Sequence, residues 1–419
     1  MTTNKYRWIP AIAVWTAASL TDAAEPAPAA WWPMDAVEEG MVADRAGGIS
    51  DEIAGSFTKV AGVRGDAIRF DGYTTEITRA ASKGPVLSGG FAVEGWVALG
   101  AYPWNWCALV TQCAGRENGF RVEIGPRGQL RMQLHAGGEW RNCESGDMVI
   151  GLRQWTHLAA SFDPESGITL LIDGKEAGKL EATGEPVFAP GVELKIGANH
   201  AAGKPSHIHR DFGTLGSWFS LDGIVDEVKL HNQPLDAAAA GKAFAAHKGS
   251  AEPDLPVRRL PAGPDGPGRF GAFYTHLKYY PEWDALWPVG QDPDVVVRFD
   301  NSPARMVFWR GTRYSPAWVS GNGLWMTDQS VESWDEAEGC FEHMQDRRCR
   351  YSHVRVIENN DARVVVHWRY APVSAHNHLL DEDRKTTRAC WVDEYYFIYP
   401  DAAGIRNVSW KSGTLGNPR

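Results

Sequence analysis

The stretch Trp155-Thr-His-Leu-Ala-Ala-Ser-Phe-Asp163, followed by Ile168-Thr-Leu-Leu-Ile-Asp-Gly-Lys175, decides the fold of this 419-residue chain. Apolar residues recur with the spacing of β-strands in both pieces. The residues between them, Asp163-Pro-Glu-Ser-Gly167, favour a turn, and Asp173-Gly174 favours a second, tighter one. The stretch therefore predicts an antiparallel hairpin whose second strand ends at Asp173-Gly174.

A second stretch, Leu221-Asp-Gly-Ile-Val-Asp-Glu-Val-Lys-Leu-His-Asn-Gln-Pro-Leu235, predicts one more strand and then a helix. Asp236 is a good N-cap for a helix over residues 237–247, because its side chain can accept the free amide hydrogens of the first turn. Gly249 is a typical stop after such a helix.

Three further motifs occur in order with these two: Gly65-Asp-Ala-Ile-Arg-Phe-Asp-Gly72, Phe91-Ala-Val-Glu-Gly-Trp-Val97 and Leu194-Lys-Ile-Gly-Ala-Asn199. Together the five motifs resemble the laminin-G-like, concanavalin-type jelly roll of secreted bacterial proteins. The resemblance covers residues 30–248 and implies an all-β sandwich there. It says less about function, because one fold hosts many activities.

The composition changes after residue 248. Residues 249–270 are rich in proline and glycine and predict a semi-rigid linker. From Asp294 onward the apolar residues alternate with polar ones, which predicts a second antiparallel β-sandwich over residues 271–419. The predicted strands are residues 294–299, 305–310, 324–326, 351–358, 362–370, 395–399 and 405–410. Because the pattern stops abruptly, we expect this sandwich to be incomplete and the sequence to be the front part of a longer protein.

The N-terminus predicts secretion. Residues 1–24 combine two basic residues, an apolar run over 8–20 and small residues, which is the layout of a signal peptide. The apolar run is short of the roughly 20 residues that a membrane span needs, so we expect no membrane span. A net charge of −10 argues against a nucleic-acid partner, which requires a basic surface.

Six cysteines, an even number, fit an oxidising compartment. We expect a local disulfide between Cys340 and Cys349, and a second one that joins Cys143 to either Cys107 or Cys113. The alternative is that all six are buried thiols.

The 19 tryptophans admit two interpretations. Exposed indoles stack on sugar rings, whereas buried ones fill the core between sheets.

The second half resembles, more weakly, the β-sandwich portions of secreted polysaccharide lyases related to ulvan lyases. This resemblance rests on Trp283-Asp-Ala-Leu-Trp287, Val295-Val-Val-Arg-Phe-Asp300, Phe308-Trp-Arg-Gly-Thr-Arg-Tyr314 and Glu342-His-Met-Gln-Asp-Arg347. It implies a secreted carbohydrate-active protein, but it carries no catalytic role over to any residue.

Residue chemistry suggests where such a reaction would occur. β-Elimination from a uronic acid needs a group that neutralises the carboxylate, a base and an acid; arginine suits the first role and histidine or tyrosine the others. The chain concentrates these types around Arg310, Tyr314, His343 and Arg347. We therefore expect a lyase, or its N-terminal part, that acts on an acidic polysaccharide. The alternatives are a solvated basic loop and, for the whole protein, a non-catalytic glycan-binding or adhesion role.

The laminin-G-like resemblance also implies one structural calcium ion. Asp44, Asp71 and Asp226 occupy matching motif positions, with Asp222 as an alternative ligand. Asp71 can instead be a turn residue that accepts its own backbone amides. Two histidine pairs, at residues 207 and 209 and at residues 376 and 378, are weaker metal-site signals.

Overall fold

The computed structural model describes residues 27–103, 105–113, 115–200, 220–247, 252–261, 263–264, 267–286, 292–327, 330–346, 349–383, 385–386 and 388–411. Most of these residues lie in or between antiparallel strands, which confirms the predicted all-β class. The predicted signal peptide, the histidine pair at 207 and 209, and Arg347 lie outside the described residues. No helix in the described ranges is long and apolar enough to span a membrane.

The strands of the first sandwich follow the chain from residue 30 to residue 231. They are β1 (Ala30–Trp32), β2 (Val37–Glu38), β3 (Met41–Asp44), β4 (Ile49–Ala54), β5 (Thr58–Ala61), β6 (Asp66–Asp71), β7 (Glu76–Arg79), β8 (Phe91–Leu99), β9 (Cys107–Gln112), β10 (Phe120–Ile124), β11 (Leu130–Ala136), β12 (Glu139–Glu144), β13 (Thr156–Asp163), β14 (Gly167–Ile172), β15 (Lys175–Leu180), β16 (Leu194–Ile196) and β17 (Asp222–His231). A short 3₁₀ helix spans Ala81–Lys83.

These strands form two stacked sheets. One has the order β15-β14-β13-β8-β17-β6-β5, with β1 beside β17, and the other has the order β12-β11-β10-β9-β16-β7-β4-β3-β2. Apolar side chains from both sheets meet in one core, in which Phe91, Phe120 and Phe162 are fully buried. This is the sandwich that the five sequence motifs predict.

The hairpin predicted for residues 155–175 is confirmed. Strands β13 and β14 pair from Leu158 opposite Ile172 to Asp163 opposite Gly167. Asp173 and Gly174 both have positive φ, 51° and 74°. A two-residue turn of this kind matches the twist of the flanking strands, which explains why Asp-Gly closes the β14–β15 hairpin.

Helix α1 (Ala237–His247) lies on the outer face of the first sheet, away from the core. It begins as predicted, because the Oδ1 atom of Asp236 accepts the amide hydrogen of Ala239 at 2.8 Å. Its Ala240 packs on Ala159 and Leu171, and its Phe244 stacks on Trp96 with ring centroids 5.7 Å apart. The helix therefore covers the outer side of β8 and β13.

The second sandwich contains the remaining elements. They are β18 (Gly271–Thr275), α2 (Pro281–Leu286), β19 (Asp294–Phe299), β20 (Ser302–Phe308), β21 (Pro316–Val319), β22 (Trp325–Thr327), β23 (Ser333–Asp335), β24 (Gly339–Phe341), β25 (Ser352–Asn359), β26 (Val364–Tyr370), β27 (Trp391–Ile398) and β28 (Gly404–Lys411), with 3₁₀ helices at Arg310–Thr312 and His343–Gln345. The sheets have the orders β18-β19-β20-β21-β22 and β25-β26-β27-β28, and β23 pairs with β24.

The core of this sandwich lies between its two larger sheets, around Phe299, Phe308 and Trp368. The other face of the β18–β22 sheet is covered by Leu277, with Trp283 beside it. The aromatic stretch after residue 270 thus supplies both an edge strand and a cover for the sheet. The proposed division of the chain at residues 249–270 stays a prediction, although Leu255 within it packs on the first sandwich.

Some predicted strand boundaries are wrong. The strand expected over residues 395–399, for example, begins earlier, at Trp391. The strand expected over residues 305–310 ends at Phe308, and Arg310 begins a 3₁₀ turn instead. The turn forms because Asp294 accepts the amide hydrogen of Arg310 at 2.7 Å, while Trp309 accepts that of Tyr314.

The predicted disulfides are also wrong, since all six cysteines are thiols in this structure. Cys143 on β12 is separated from β9, which holds Cys107 and precedes Cys113, by two intervening strands. That places them about 14 Å apart, at about 4.8 Å per strand, whereas a disulfide needs Cα atoms within about 7 Å. Cys349 is buried in the second core, whereas Cys340 lies half-buried on the β23–β24 hairpin.

A buried carboxylate holds the inner face of the second sandwich together. Glu394 on β27 is fully buried and accepts hydrogen bonds from the hydroxyls of Tyr370, at 2.8 Å, and Tyr396, at 2.7 Å. The guanidinium of Arg406 on β28 adds two more, at 2.8 and 2.9 Å. A buried charge of this kind is tolerated because its hydrogen bonds and its counter-charge are all supplied.

Replacing Glu394 with glutamine should lower the free energy of unfolding by about 3 kcal/mol, since it leaves Arg406 without its counter-charge. Urea unfolding followed by fluorescence measures this change. Glu358→Gln on the same sheet is a matched control, because its ion pair with Arg363 is solvent-exposed and contributes little. Equal losses for the two variants would contradict the structural role of Glu394.

Candidate functional site

The guanidinium of Arg310, the predicted carboxylate binder, is occupied by acidic groups of its own chain. Its Nη1 atom lies 3.3 Å from Asp294 and its Nη2 atom 3.8 Å from Asp284. The side chain is 9% exposed. Arg310 therefore neutralises buried carboxylates in the second sandwich, and little of its charge faces solvent.

Tyr314 is a core residue with an unusual backbone. It is 1% exposed, and its hydroxyl donates to the carbonyl oxygen of Asp292 at 3.2 Å. Burial raises the pKa of its phenol. Both Arg313 and Tyr314 have positive φ, 57° and 63°, a conformation that non-glycine residues rarely adopt and that concentrates at functional sites.

His343 lies close to the same turn. Its ring centroid is 5.1 Å from that of Trp368, whose indole N–H donates to the carbonyl oxygen of Arg313. Burial, reinforced by the charge of Arg313, lowers the pKa of His343 to about 3. An imidazole with that pKa is neutral at pH 7 but a poor general base, because efficient bases titrate near the working pH.

The structure thus brings Arg313, Tyr314 and His343 together around Trp368, but it buries the side chains that the reaction would use. The sequence could not reveal this, because strand-end tyrosine and loop histidine look alike whether they point inward or outward.

The three aspartates predicted to bind calcium have separate surroundings. Asp44 pairs with the buried Arg79, whose Nη2 atom lies 2.8 Å away. Asp71 accepts the backbone amides of Tyr73, Thr74 and Thr75, so it has the turn role that was its alternative interpretation. Asp222, the alternative ligand, forms a two-pronged ion pair with Arg258.

Asp226 is different, because among the described residues no basic side chain forms an ion pair with it. It is fully buried, and its Oδ2 atom accepts the amide hydrogens of Val63 and Arg64. Burial raises its pKa to about 7, and the charge of Glu227 adds to the effect. The neighbouring Glu227 keeps a buried Oε1 atom with no hydrogen-bond partner.

The residues predicted as a calcium set therefore do not fit one ion together. Among the described residues, Asp44, Asp71 and Asp226 are not grouped within ligand distance of one another. Calcium binding stays a prediction, and the burial of the Asp226 carboxyl group beside Glu227 is the feature that favours it.

A cavity that sequence reasoning missed lies on the outer face of the first sandwich, between helix α1 and strands β13 to β15. We call it the outer-face cavity. Its volume is about 380 Å³, which is within the usual range of small-molecule sites. Its polar lining consists of Glu94, Ser161, Asp163, Ser166, Thr169, Glu176, His231, Gln233 and Asp236.

Glu94 at the base of the outer-face cavity is held by three basic groups. The Nε2 atoms of His157 and His231 lie 3.2 and 3.1 Å from its carboxylate, and the Nζ atom of Lys229 lies 3.0 Å away. Burial by itself would raise the pKa of Glu94, but these partners outweigh it and hold the pKa far below its usual range. The carboxylate is therefore ionised and fixed in orientation.

One feature of the sequence indicates the buried charge in the outer-face cavity. Glu94 stands in the motif Phe91-Ala-Val-Glu-Gly-Trp-Val97, where a charged residue interrupts an otherwise apolar central strand. A charge that is fully buried requires a partner. The partners themselves come from β13 and β17, at least 63 positions along the chain, and periodicity alone does not pair such distant strands.

Comparison with known proteins finds a family match within the first sandwich. Residues 71–240 match the model of the concanavalin A-like lectin/glucanases superfamily. No curated protein matches the chain.

Three solved structures resemble the chain at low identity. Domain 4 of an extracellular arabinanase from Geobacillus stearothermophilus, in complex with arabinotriose, is 18% identical, with 51% of this chain and 97% of that chain covered and a TM-score of 0.38. A sialidase from Trypanosoma rangeli is 14% identical, with 52% and 32% covered and a TM-score of 0.37. The binding domain of botulinum neurotoxin serotype G is 8% identical, with 92% and 79% covered and a TM-score of 0.41.

Asp226 should make stability depend on pH. Because its folded pKa is raised from 3.8 to about 7, the stability it contributes is present at low pH and is lost as pH rises through about 7. Asp226→Asn removes this titration. As pH rises from 4 to 8, the free energy of unfolding of the variant should therefore increase relative to that of the wild type by a few kcal/mol, at about 1.4 kcal/mol per pKa unit.

Urea unfolding across this pH range, in the presence of a chelator, measures the difference. Parallel pH profiles for the two proteins would contradict the assignment. Added calcium should stabilise the wild type at pH 8 more than the variant if the ion binds here.

Proposed function

Because residues 71–240 match the model of the concanavalin A-like lectin/glucanases superfamily, we propose that this protein binds carbohydrate and does so in the outer-face cavity. The observation that carries the proposal is the convergence of hydroxyl, amide, imidazole and carboxylate groups on one cavity of about 380 Å³. Sugars expose several hydroxyl groups on one ring, and these need a matching set of hydrogen-bond partners.

The rigidity of the cavity supports this role. Glu94 is fixed by its three basic partners, and the hydroxyl oxygen of Ser161 accepts the amide hydrogen of Leu235 at 2.8 Å. Pro234 and Leu235 add an apolar surface to the lining. Fixed polar groups beside an apolar surface match a sugar ring, which has hydroxyls at its edge and C–H groups on its faces.

The charge of the lining favours a neutral glycan over an acidic one. Glu94, Asp163, Glu176 and Asp236 all line the cavity, and the described lining contains no lysine or arginine. A uronic acid would place its carboxylate among these acidic groups, which is unfavourable in a partly buried site. We therefore propose a neutral oligosaccharide as the ligand of the first sandwich.

A substitution that fills the cavity with a large side chain tests this proposal. Ser166 lies on its exposed rim, so Ser166→Trp should weaken binding of a neutral oligosaccharide at least about tenfold, or about 1.4 kcal/mol. Calorimetry against a panel of neutral and uronic-acid polysaccharides measures the binding. Ser50→Trp, at an exposed position on β4 of the other sheet, is the matched control.

Two results would overturn the proposal. One is equal binding by the Ser166→Trp and Ser50→Trp proteins. The other is binding only to uronic-acid polysaccharides, because the acidic lining of the outer-face cavity disfavours them.

A second candidate, β-elimination of an acidic polysaccharide in the second sandwich, is favoured by one specific observation. Arg313 and Tyr314 are held in a strained left-handed conformation next to His343, and such strain is typical of functional turns. The burial of Tyr314 and His343 argues against it, since a polymer needs access to the acid and the base.

Lyase activity would appear as ultraviolet absorbance from a new C4–C5 double bond when the full chain is incubated with uronic-acid polysaccharides. If the turn is catalytic, Tyr314→Phe should abolish that absorbance while costing only about 1 kcal/mol of stability, the usual contribution of one hydrogen bond. No absorbance from the wild type would remove the lyase proposal and leave the binding proposal intact.

A further inference from the structure

The β23–β24 hairpin carries three potential metal ligands on one face. Ser333 pairs with Phe341 and Trp334 with Cys340. Residues directly opposite each other in an antiparallel pair share a face, and so do residues two apart on one strand. Glu332, which precedes the pair, therefore faces Glu342, and both lie on the face that holds Cys340.

The ligand atoms of these three side chains converge. A carboxylate oxygen of Glu332, the Sγ atom of Cys340 and a carboxylate oxygen of Glu342 all lie within 4.8 Å of one another. This spacing is compatible with one small ion, because metal–sulfur and metal–oxygen bonds of about 2.3 and 2.1 Å place the ligands of a tetrahedral zinc ion at similar separations. We propose that this hairpin binds a zinc-class transition-metal ion through Glu332, Cys340 and Glu342.

The electrostatics of the hairpin support an ion at this place. Like charges directly opposite each other on neighbouring strands destabilise a sheet. Neither glutamate forms an ion pair with a basic side chain in the described part of the chain, and the hydrogen bond that Glu342 accepts comes from the neutral amide of Gln345. A divalent cation would offset most of the negative charge of the two facing carboxylates and the thiolate.

The surroundings orient the ligands. The backbone of Glu342 exchanges two hydrogen bonds with that of Val373, at 3.0 and 3.1 Å. The Nε2 atom of Gln345 donates to Oε1 of Glu342 at 2.9 Å, which leaves its other carboxylate oxygen to face the ion. Outer hydrogen bonds of this kind fix the orientation of metal ligands.

The donor set selects the class of metal. A thiolate favours zinc and related transition metals, whereas calcium and magnesium take oxygen ligands. Three protein ligands leave a fourth position of a tetrahedral ion for water or an external ligand. Of the histidine pair at residues 376 and 378, His378 is engaged elsewhere, since its Nδ1 atom lies 2.9 Å from Glu338.

Cobalt(II) titration of the full chain tests the proposal, because cobalt reports thiolate ligation by a charge-transfer absorption band. We expect a band that saturates at one equivalent, is removed by added zinc and persists in excess calcium. The band should be absent from Cys340→Ser and retained in Cys113→Ser, whose thiol donates to a backbone carbonyl of the first sandwich.

Glu332→Gln is the second variant, because Glu332 is exposed and its replacement should not disturb folding. It should weaken cobalt binding by about 100-fold, since loss of an outer partner alone typically costs 10- to 100-fold. Zinc should also raise the melting temperature of the wild type but not that of Cys340→Ser.

Three outcomes would overturn the proposal. They are the absence of a charge-transfer band in the wild type, a band that persists in Cys340→Ser, and unchanged affinity in a folded Glu332→Gln protein.

Discussion

Strand β8 is buried on both of its faces, and this constraint governs the architecture of the first sandwich. Its inward side chains, such as Phe91 and Val97, enter the core between the sheets, so its outward side chains need a separate cover. Helix α1 provides that cover, with Phe244 stacked on Trp96. Burial of Glu94 under this layer is tolerated because β13 and β17 supply its basic partners. The outer-face cavity lies beside this layer, so helix α1, which covers the outer face of the sheet, also lines the candidate site.

Local sequence signals predicted the elements that depend on local interactions. The Asp173-Gly174 turn and the Asp236 cap act over a few residues, and both form as the residue chemistry requires. The strand expected over residues 305–310 failed for a related reason. Its end is set by Asp294, whose side chain accepts the amide of Arg310 from 16 positions away. An alternating pattern contains no information about a contact of that range.

The candidate sites were harder to predict, because they depend on the register between strands and on depth of burial. Residue chemistry predicts a catalytic role for Tyr314 and His343, but the structure buries both side chains in the second sandwich. The sequence did not predict a metal site at Glu332, Cys340 and Glu342. Only the pairing of Ser333 with Phe341 places these three residues on one face, and the sequence pattern does not reveal that pairing. The disulfide expected at Cys340 was plausible by proximity in sequence alone, and burial of Cys349 in the core separates the two thiols.

Internal pairing of the arginines bears on what the protein can bind. In the described part of the chain, arginines that meet buried carboxylates include Arg79 (with Asp44 and Asp51), Arg131 (with Glu123), Arg310 (with Asp294) and Arg406 (with Glu394). An arginine can clamp an external uronate only if its fork is free to do so, since the carboxylate and the internal partner compete for the same N–H groups. In a chain with a net charge of −10, these pairings occupy guanidinium groups that could otherwise attract an anionic ligand. Among glycans, this charge distribution fits the proposed neutral ligand better than a uronic acid, and recognition of such a ligand would come from hydrogen bonds and apolar contact.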